Sequence, residues 1–352
     1  MTAISLFRWT AATAAAAASA ALAGCGAGGG SSASVPLGAQ LPLARASSAS
    51  IAHSNLSSIE FFNGISSGAN PHGIARGPGG MWFTESGAVR IARITASGTV
   101  TEFPLLPAST SPTNIVEGPD KNLWFTESGS DVIGRMTPHG KITEFAVGNE
   151  AYGPWDITTG SDGNLWFTLR SPSTNAIGRI TTAGAVTLFT NGLSPGDVAV
   201  HDMTAGPDGS VWFTEEFGNR IGRITTGGVI TEFSNGISTG AGLVDITAGP
   251  DGNLWFTENS LNQVGRITTA GVVTEFSKGI AANSGPGSIA AAKGAVWFTQ
   301  SNPTEIARVS MSGTITEYSV QGTLLGDIAA TSSHGDLWIT DYMGNGIVRV
   351  AE

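Results

Sequence analysis

The feature that most constrains how this chain can fold is a tryptophan that recurs at nearly constant intervals. Seven tryptophans stand 41 to 46 residues apart, at Trp82, Trp124, Trp166, Trp212, Trp255, Trp297 and Trp338. An arginine follows each of them, after 11 residues in six repeats and after 13 in the third. A period of this length, in a sequence rich in strand-forming residues, is typical of a β-propeller in which each repeat forms one blade.

The fourth repeat shows how one unit would form four strands. Residues 202–205, 211–215, 220–225 and 230–233 are short runs rich in β-branched and aromatic residues, separated by glycine-containing turns. In the first turn, Pro207 fixes φ and Gly209 allows a positive φ. We therefore predict an all-β fold, a seven-bladed β-propeller of four-stranded antiparallel blades.

The last repeat supplies three strands, and its fourth strand is missing. Residues 58–61, Ser-Ile-Glu-Phe, have the same form as residues 273–276, the fourth strand of the fifth repeat. We expect this N-terminal strand to close the ring as the outer strand of the last blade, because closure removes exposed sheet edges.

The N-terminus resembles a bacterial lipoprotein signal. A short apolar run precedes Leu22-Ala23-Gly24-Cys25, which is similar to a lipobox, and Cys25 is the only cysteine. An ordinary signal peptide cut at Ala23 is the alternative. We predict a signal peptide at 1–24, a flexible Gly/Ser/Ala tether at 25–57 and the propeller at 58–352. The protein would then be exported and lipid-anchored in the cell envelope, and Gly26, which is not the retention Asp, favours the outer membrane facing the periplasm.

Charge narrows the possible partners. The formal net charge is −10, from 17 basic and 27 acidic residues. An acidic surface repels phosphate backbones, so we expect no nucleic-acid partner. We also expect a monomer whose contact with the membrane is the lipid anchor only.

A ligand site in a propeller is expected at the mouth of the central channel, where the innermost strands begin. The residues 10 to 12 positions before each repeat tryptophan occupy this ring: His72, Thr113, Trp155, His201, Val244, Gly287 and Gly326. Unlike the repeat tryptophans, these seven ring positions hold different residue types. We therefore expect the functional residues to be among them.

The fourth repeat combines an imidazole with two successive carboxylates, His201 with Glu215 and Glu216. A histidine near a carboxylate can act as a base or help to hold a metal. The alternative is a solvent-exposed pair with no chemistry. Four aspartates follow ring residues, and they would either accept hydrogen bonds from backbone amides or bind a divalent cation: Asp156, Asp202, Asp245 and Asp327.

The segments 249–259 (Gly-Pro-Asp-Gly-Asn-Leu-Trp-Phe-Thr-Glu-Asn) and 264–268 (Val-Gly-Arg-Ile-Thr) resemble the virginiamycin B lyase, or streptogramin lyase, family. The resemblance covers about residues 58–352. It implies a Mg²⁺-dependent elimination that opens the lactone ring of cyclic depsipeptides of the streptogramin B type.

By the same resemblance, His201 matches a catalytic histidine and Glu215 a metal-binding glutamate, and His72 lies in the family's Pro-His-Gly-Ile motif. Trp155 and Ala199 stand where the family has a second histidine and a further glutamate. The alternative function is a non-catalytic envelope propeller that binds a glycan, peptide or protein at its loop face.

Overall fold

The computed structural model describes residues 54–105, 111–148, 153–170, 175–196, 199–331 and 335–351. The chain divides into two units, 1–49 and 50–352, and all described residues belong to the second. The predicted signal peptide, Cys25 and most of the predicted tether lie outside the described residues. Among those described, no helix is long and apolar enough to cross a membrane.

Seven sheets form the body of the protein. Six blades contain four consecutive antiparallel strands with the first strand innermost, and blade 7 contains three consecutive strands and one strand from the N-terminal segment. Two strands precede the first blade, β1 (Ser54–Asn55) and β2 (Ser57–Phe61). Blades 1 to 3 comprise β3 (Pro71–Gly77), β4 (Gly80–Glu85), β5 (Arg90–Ile94), β6 (Val100–Pro104), β7 (Pro112–Glu117), β8 (Leu123–Glu127), β9 (Val132–Met136), β10 (Ile142–Ala146), β11 (Gly153–Thr159), β12 (Leu165–Arg170), β13 (Ala176–Ile180) and β14 (Val186–Phe189).

Blades 4 to 7 continue the same meander, with one 3₁₀ turn at Asn259–Leu261. Their strands are β15 (Val200–Ala205), β16 (Val211–Glu215), β17 (Arg220–Ile224), β18 (Ile230–Phe233), β19 (Leu243–Ala248), β20 (Leu254–Glu258), β21 (Gln263–Ile267), β22 (Val273–Phe276), β23 (Pro286–Ala292), β24 (Ala295–Ser301), β25 (Thr304–Val309), β26 (Ile315–Ser319), β27 (Leu325–Ala330), β28 (Leu337–Asp341) and β29 (Gly346–Ala351).

The N-terminal strand closes the ring, as predicted. β2 pairs antiparallel with β29, Ser58 opposite Val350 and Phe61 opposite Ile347, and so supplies the missing fourth strand of blade 7. β1 adds a parallel pair to the outer strand of blade 6, β26. The first and last described segments of the chain therefore hold each other in place.

The repeat tryptophans form the core between blades, as their spacing predicted. All seven are at most 2% exposed. Trp212 of blade 4, for example, packs in one cluster with Leu243, Ile246 and Phe256 of blade 5. Burial of an indole of this size is worth several kcal/mol, so the seven contacts stabilise the ring.

Each repeat arginine lies over the ring of its own tryptophan, with the guanidinium carbon 5.5 to 6.0 Å from the ring centroid. Some also join blades, since Arg179 donates to the carbonyl of Thr226 at 3.0 Å. The repeated arginines are therefore architectural.

A second repeated residue, the threonine two positions after each tryptophan, joins the innermost strands. Thr214 shows the pattern: its Oγ1 accepts from the backbone N–H of Asp202 at 3.1 Å and donates to the carbonyl of Val244 in the next blade at 2.8 Å. The same double contact recurs around the ring at Thr84, Thr126, Thr168, Thr257, Thr299 and Thr340. These threonines fix the positions of the residues at the channel mouth.

Candidate active site at the channel mouth

The ring residues lie where the sequence predicted. His72, Thr113, Trp155 and His201 stand within the first three residues of the innermost strands β3, β7, β11 and β15. These strands contact one another around the central channel. Residues that directly follow the second strand of a blade, such as Glu216, return to the same end of the channel.

Two histidines from blades that are not adjacent in the ring meet on one tryptophan. The ring centroid of Trp155 lies 5.7 Å from that of His72 and 5.5 Å from that of His201, both in edge-on orientations. The ring centroid of Tyr342 of blade 7 lies 6.3 Å from that of His72, also in an edge-on orientation. The indole of blade 3 thus places two imidazoles of blades 1 and 4 in one cluster across the mouth.

An arginine completes this cluster. The guanidinium carbon of Arg170 lies 4.7 Å from the centroid of Trp155, and its Nη2 lies 3.5 Å from Oε2 of Glu216. We call His72, Trp155, Arg170, His201 and Glu216 the mouth cluster. Sequence reasoning did not select Arg170 as functional, although it is a basic residue at the position where blade 4 has Glu216.

Both histidines of the mouth cluster are neutral at neutral pH. Burial lowers the pKa of His72 to about 4, against a hydrogen bond to the carbonyl of Thr113 that raises it. Burial, and then the charge of Arg170, lower the pKa of His201 to about 4. Nδ1 of His72 lies 3.1 Å from the Thr113 carbonyl oxygen, which can only accept, so the ring proton is on Nδ1 and Nε2 keeps its lone pair.

Three of the four predicted aspartates accept hydrogen bonds from backbone amides of neighbouring blades. Asp156 accepts from Met203 at 2.6 Å, Asp245 from Ile289 at 2.8 Å and Asp327 from Ile74 at 2.8 Å. Burial is the main cause of their raised pKa values. These contacts support the structural interpretation of the three residues.

Asp202 differs from the other three aspartates. Its Oδ2 lies 3.3 Å from Nδ1 of His201, and the two side chains are each 15% exposed. The pair is not aligned as a hydrogen bond, since Nδ1 of His201 has no hydrogen-bond partner among the described residues. Burial and the charge of Asp327 raise the pKa of Asp202 to about 8, so this carboxyl is mostly protonated at neutral pH.

Glu215 and Glu216, predicted together, have different surroundings. Glu215 is completely buried, and its Oε2 lies 3.7 Å from Nη1 of Arg220 within the blade. Burial and the charge of Glu232 raise its pKa to about 8. The negative charge of Glu216, and not that of Glu215, raises the pKa of His201 and so opposes part of the effect of burial. The mouth cluster therefore contains Glu216 and not Glu215.

The mouth cluster does not provide a ligand set that fits Mg²⁺. Among the described residues, no three His, Cys, Asp or Glu side chains are grouped so that they could hold a metal ion. Mg²⁺ prefers several oxygen ligands, and Glu216 is already paired with the guanidinium of Arg170. A fixed positive charge at this place also repels a divalent cation.

The sequence model of the virginiamycin B lyase family matches residues 40–201 and 175–352, almost the whole chain. The fold and this match define the class of protein: the chain belongs to the virginiamycin B lyase family, as its repeat motifs predicted. No curated protein sequence matches it.

Solved structures agree with that class. A streptogramin B lyase is 32% identical, with a TM-score of 0.78 over 84% of this chain and 97% of its own. A catalytically inactive histidine-to-alanine virginiamycin B lyase from Staphylococcus aureus with quinupristin is 32% identical, with a TM-score of 0.77 over 85% and 100%. The extracellular domain of a hybrid two-component system from B. thetaiotaomicron shares the fold at 17% identity and a TM-score of 0.66, over 86% of this chain and 43% of its own.

Proposed function

We propose that this protein is a carbon–oxygen lyase that opens the lactone ring of cyclic depsipeptides of the streptogramin B type by elimination. The observation that carries the proposal is the meeting of two neutral imidazoles on Trp155 at the channel mouth. A neutral imidazole has a lone pair that can accept a proton, and an indole offers a flat apolar surface for a peptide ring.

The reaction needs a base and no water. His201 removes a proton from the carbon next to the carbon that bears the ester oxygen. The electrons of this C–H bond form a carbon–carbon double bond, the carbon–oxygen bond breaks, and its electrons leave with the carboxylate. His72, whose Nε2 lone pair is fixed by the Nδ1 contact with Thr113, assists on the other side of Trp155.

The relatives support this assignment. Two of the similar structures are named as streptogramin B or virginiamycin B lyases, and one of them is inactive when a histidine is replaced by alanine. The requirement for Mg²⁺ that the family resemblance implies is not part of this proposal, because the described residues of the mouth cluster do not fit that ion, and the EDTA arm of the experiment below tests it. Export, the lipid anchor at Cys25, the position at the outer membrane facing the periplasm and the monomeric state are further proposals that rest on the sequence.

The second candidate is a binding propeller without chemistry. It is favoured by the absence of grouped metal ligands among the described residues. It is also favoured by the stacking of Arg170 on Trp155, an arrangement that would hold a small cyclic peptide or another envelope ligand equally well.

The decisive experiment incubates the purified protein with virginiamycin B, with Mg²⁺ or with EDTA, and follows the mass of the product. Elimination opens the ring without changing its mass, whereas hydrolysis adds one water. His201→Ala should lose turnover, and His139→Ala, which removes an exposed histidine in a turn, should not. Binding without any product in the wild-type protein would establish the second candidate instead.

A further inference from the structure

Blade 3 departs from the repeat at the end of its second strand. At the position that follows the Trp-Phe-Thr-Glu motif, Arg170 is the only basic residue of the seven, and the others are Ser86, Ser128, Glu216, Asn259, Ser301 and Tyr342. The preceding residue is Leu169 where four blades have glutamate. The guanidinium is therefore not part of the repeated architecture, unlike Arg179 of the same blade.

Two contacts hold the Arg170 guanidinium in place. Its carbon lies over the ring of Trp155, 4.7 Å from the ring centroid, and one nitrogen lies 3.5 Å from Oε2 of Glu216. The side chain is still 29% exposed. Since a guanidinium carries five N–H donors in a rigid fork, one side can face Glu216 while the other faces a ligand in the mouth.

The charge of Arg170 reaches the proposed base. It lowers the pKa of His201, and it opposes the rise in the pKa of Asp202 that burial causes. Both groups are therefore close enough to Arg170 for its electrostatic field to matter. A substrate held against Trp155 would therefore be close to both the proposed base and this cation.

We infer that Arg170 binds the carboxylate that leaves when the lactone ring opens, and so provides the positive charge that drives departure of the ester oxygen. This inference rests on the proposed elimination. As His201 takes the proton and the carbon–oxygen bond breaks, negative charge accumulates on the ester oxygens. A guanidinium fork matches both oxygens of a carboxylate. It stabilises the leaving group without being changed in the reaction, and the proton remains on His201.

The inference also accounts for the poor fit of Mg²⁺. A fixed cation aimed at the developing charge does the work of a Lewis acid. Glu216 is then a positioning residue that keeps the guanidinium at the mouth when no ligand is bound.

The test compares ring opening by the wild-type protein, Arg170→Gln, Arg170→Lys and the matched control Arg179→Gln. Arg179 is in the same blade, with its guanidinium carbon 5.5 Å from the centroid of Trp166, but it belongs to the repeated core contacts. Arg170→Gln should lower kcat by about 10²- to 10³-fold with little change in KM. Added guanidinium ion should restore part of the rate that Arg170→Gln loses. The kcat of Arg170→Lys should fall between that of the wild type and that of Arg170→Gln. EDTA should leave the wild-type rate unchanged.

A binding measurement separates this inference from the lyase proposal. Calorimetry compares the ring-opened depsipeptide, which has a free carboxylate, with the same molecule amidated there. Wild type should bind the carboxylate form at least tenfold more tightly, and Arg170→Gln should lose this preference. If the kcat of Arg170→Gln stays within twofold of the wild-type value, the role of Arg170 is overturned and the lyase proposal is unaffected. If the wild-type protein does not open the ring but still binds the carboxylate form more tightly through Arg170, the carboxylate site is supported and the lyase proposal is overturned. Absence of both turnover and preference overturns both.

Discussion

The channel mouth and the blade interior are formed by the same strands, yet a glutamate is partly exposed in the mouth and completely buried in the interior. Glu215 and Glu216 are neighbours at the end of β16. The first is completely buried against Glu232, whereas the second is 27% exposed and faces Arg170. Glu215 is the last residue of β16, whereas Glu216 begins the turn that follows it, and only Glu216 joins the mouth cluster. Repeated residues stabilise the interior, whereas residues that depart from the repeat form the mouth cluster.

The largest effect should follow from removing His201, the proposed base at the mouth. His201→Ala is expected to lower kcat/KM for ring opening by about 10²- to 10⁴-fold. The free energy of unfolding should fall less than for a repeat tryptophan, because the imidazole is smaller and is not part of the repeated core. In the wild type, the rate should fall only below about pH 4, since a base with a pKa near 4 stays neutral above it. A rate that falls near pH 6.5 would show that His201 is not buried as described.

The opposite result is expected in the interior. Trp212→Ala should lower the free energy of unfolding by about 3–5 kcal/mol, because the indole fills the space between blades 4 and 5. Trp155→Ala is the matched comparison: this indole is half-buried at the mouth, so its loss should cost less stability and more ligand affinity. Chemical unfolding and calorimetric binding check the pair, and equal stability losses would break the distinction between mouth and interior.

The architecture was predictable because it is repeated, and the site was less so because it is not. Seven tryptophans and a spare N-terminal strand were enough to predict the blades and their closure. Spacing alone did not show that His72 and His201 would meet, because the contact is made by the large side chain of Trp155 reaching both. It could not show which of two adjacent glutamates faces the mouth. The signal for Arg170 was present, as a basic residue in a position where the other repeats have none.

Paired carboxyls in the blade interior should make stability depend on pH. Glu215 is hydrogen-bonded to a second carboxyl group, that of Glu232, and such a bond forms only when one of the two groups is protonated. Its pKa in the folded protein is about 8, above the ordinary value of 4.5. The folded state therefore binds the proton more tightly than the unfolded state, and stability falls as the pH rises from about 4.5 towards 8.

Glu215→Gln removes one such proton site. Blade 6 already has this arrangement, since Nε2 of Gln300 donates to Oε1 of Glu317 at 2.7 Å. The variant should be more stable than the wild type at pH 7 by on the order of 2 kcal/mol and similar at pH 5. Gln300→Glu should be less stable than the wild type at pH 7 and similar to it at pH 5. Unfolding curves at the two pH values test this, and a variant with unchanged pH dependence would mean that Glu215 and Glu232 do not share a proton.

The smallest effect is expected where the interior supports the mouth. Thr214→Val removes the hydroxyl that accepts from the N–H of Asp202 and donates to the carbonyl of Val244, while it keeps the shape of the side chain. Two partners are left unsatisfied, so the loss should be about 1–2 kcal/mol of unfolding free energy. Thr214→Ser keeps the hydroxyl and is the control. Because the Asp202 amide adjoins His201, Thr214→Val should also lower the rate of ring opening several-fold. If the rate is unchanged while stability falls, the threonine ring serves the architecture alone, and the mouth is positioned by its own side chains.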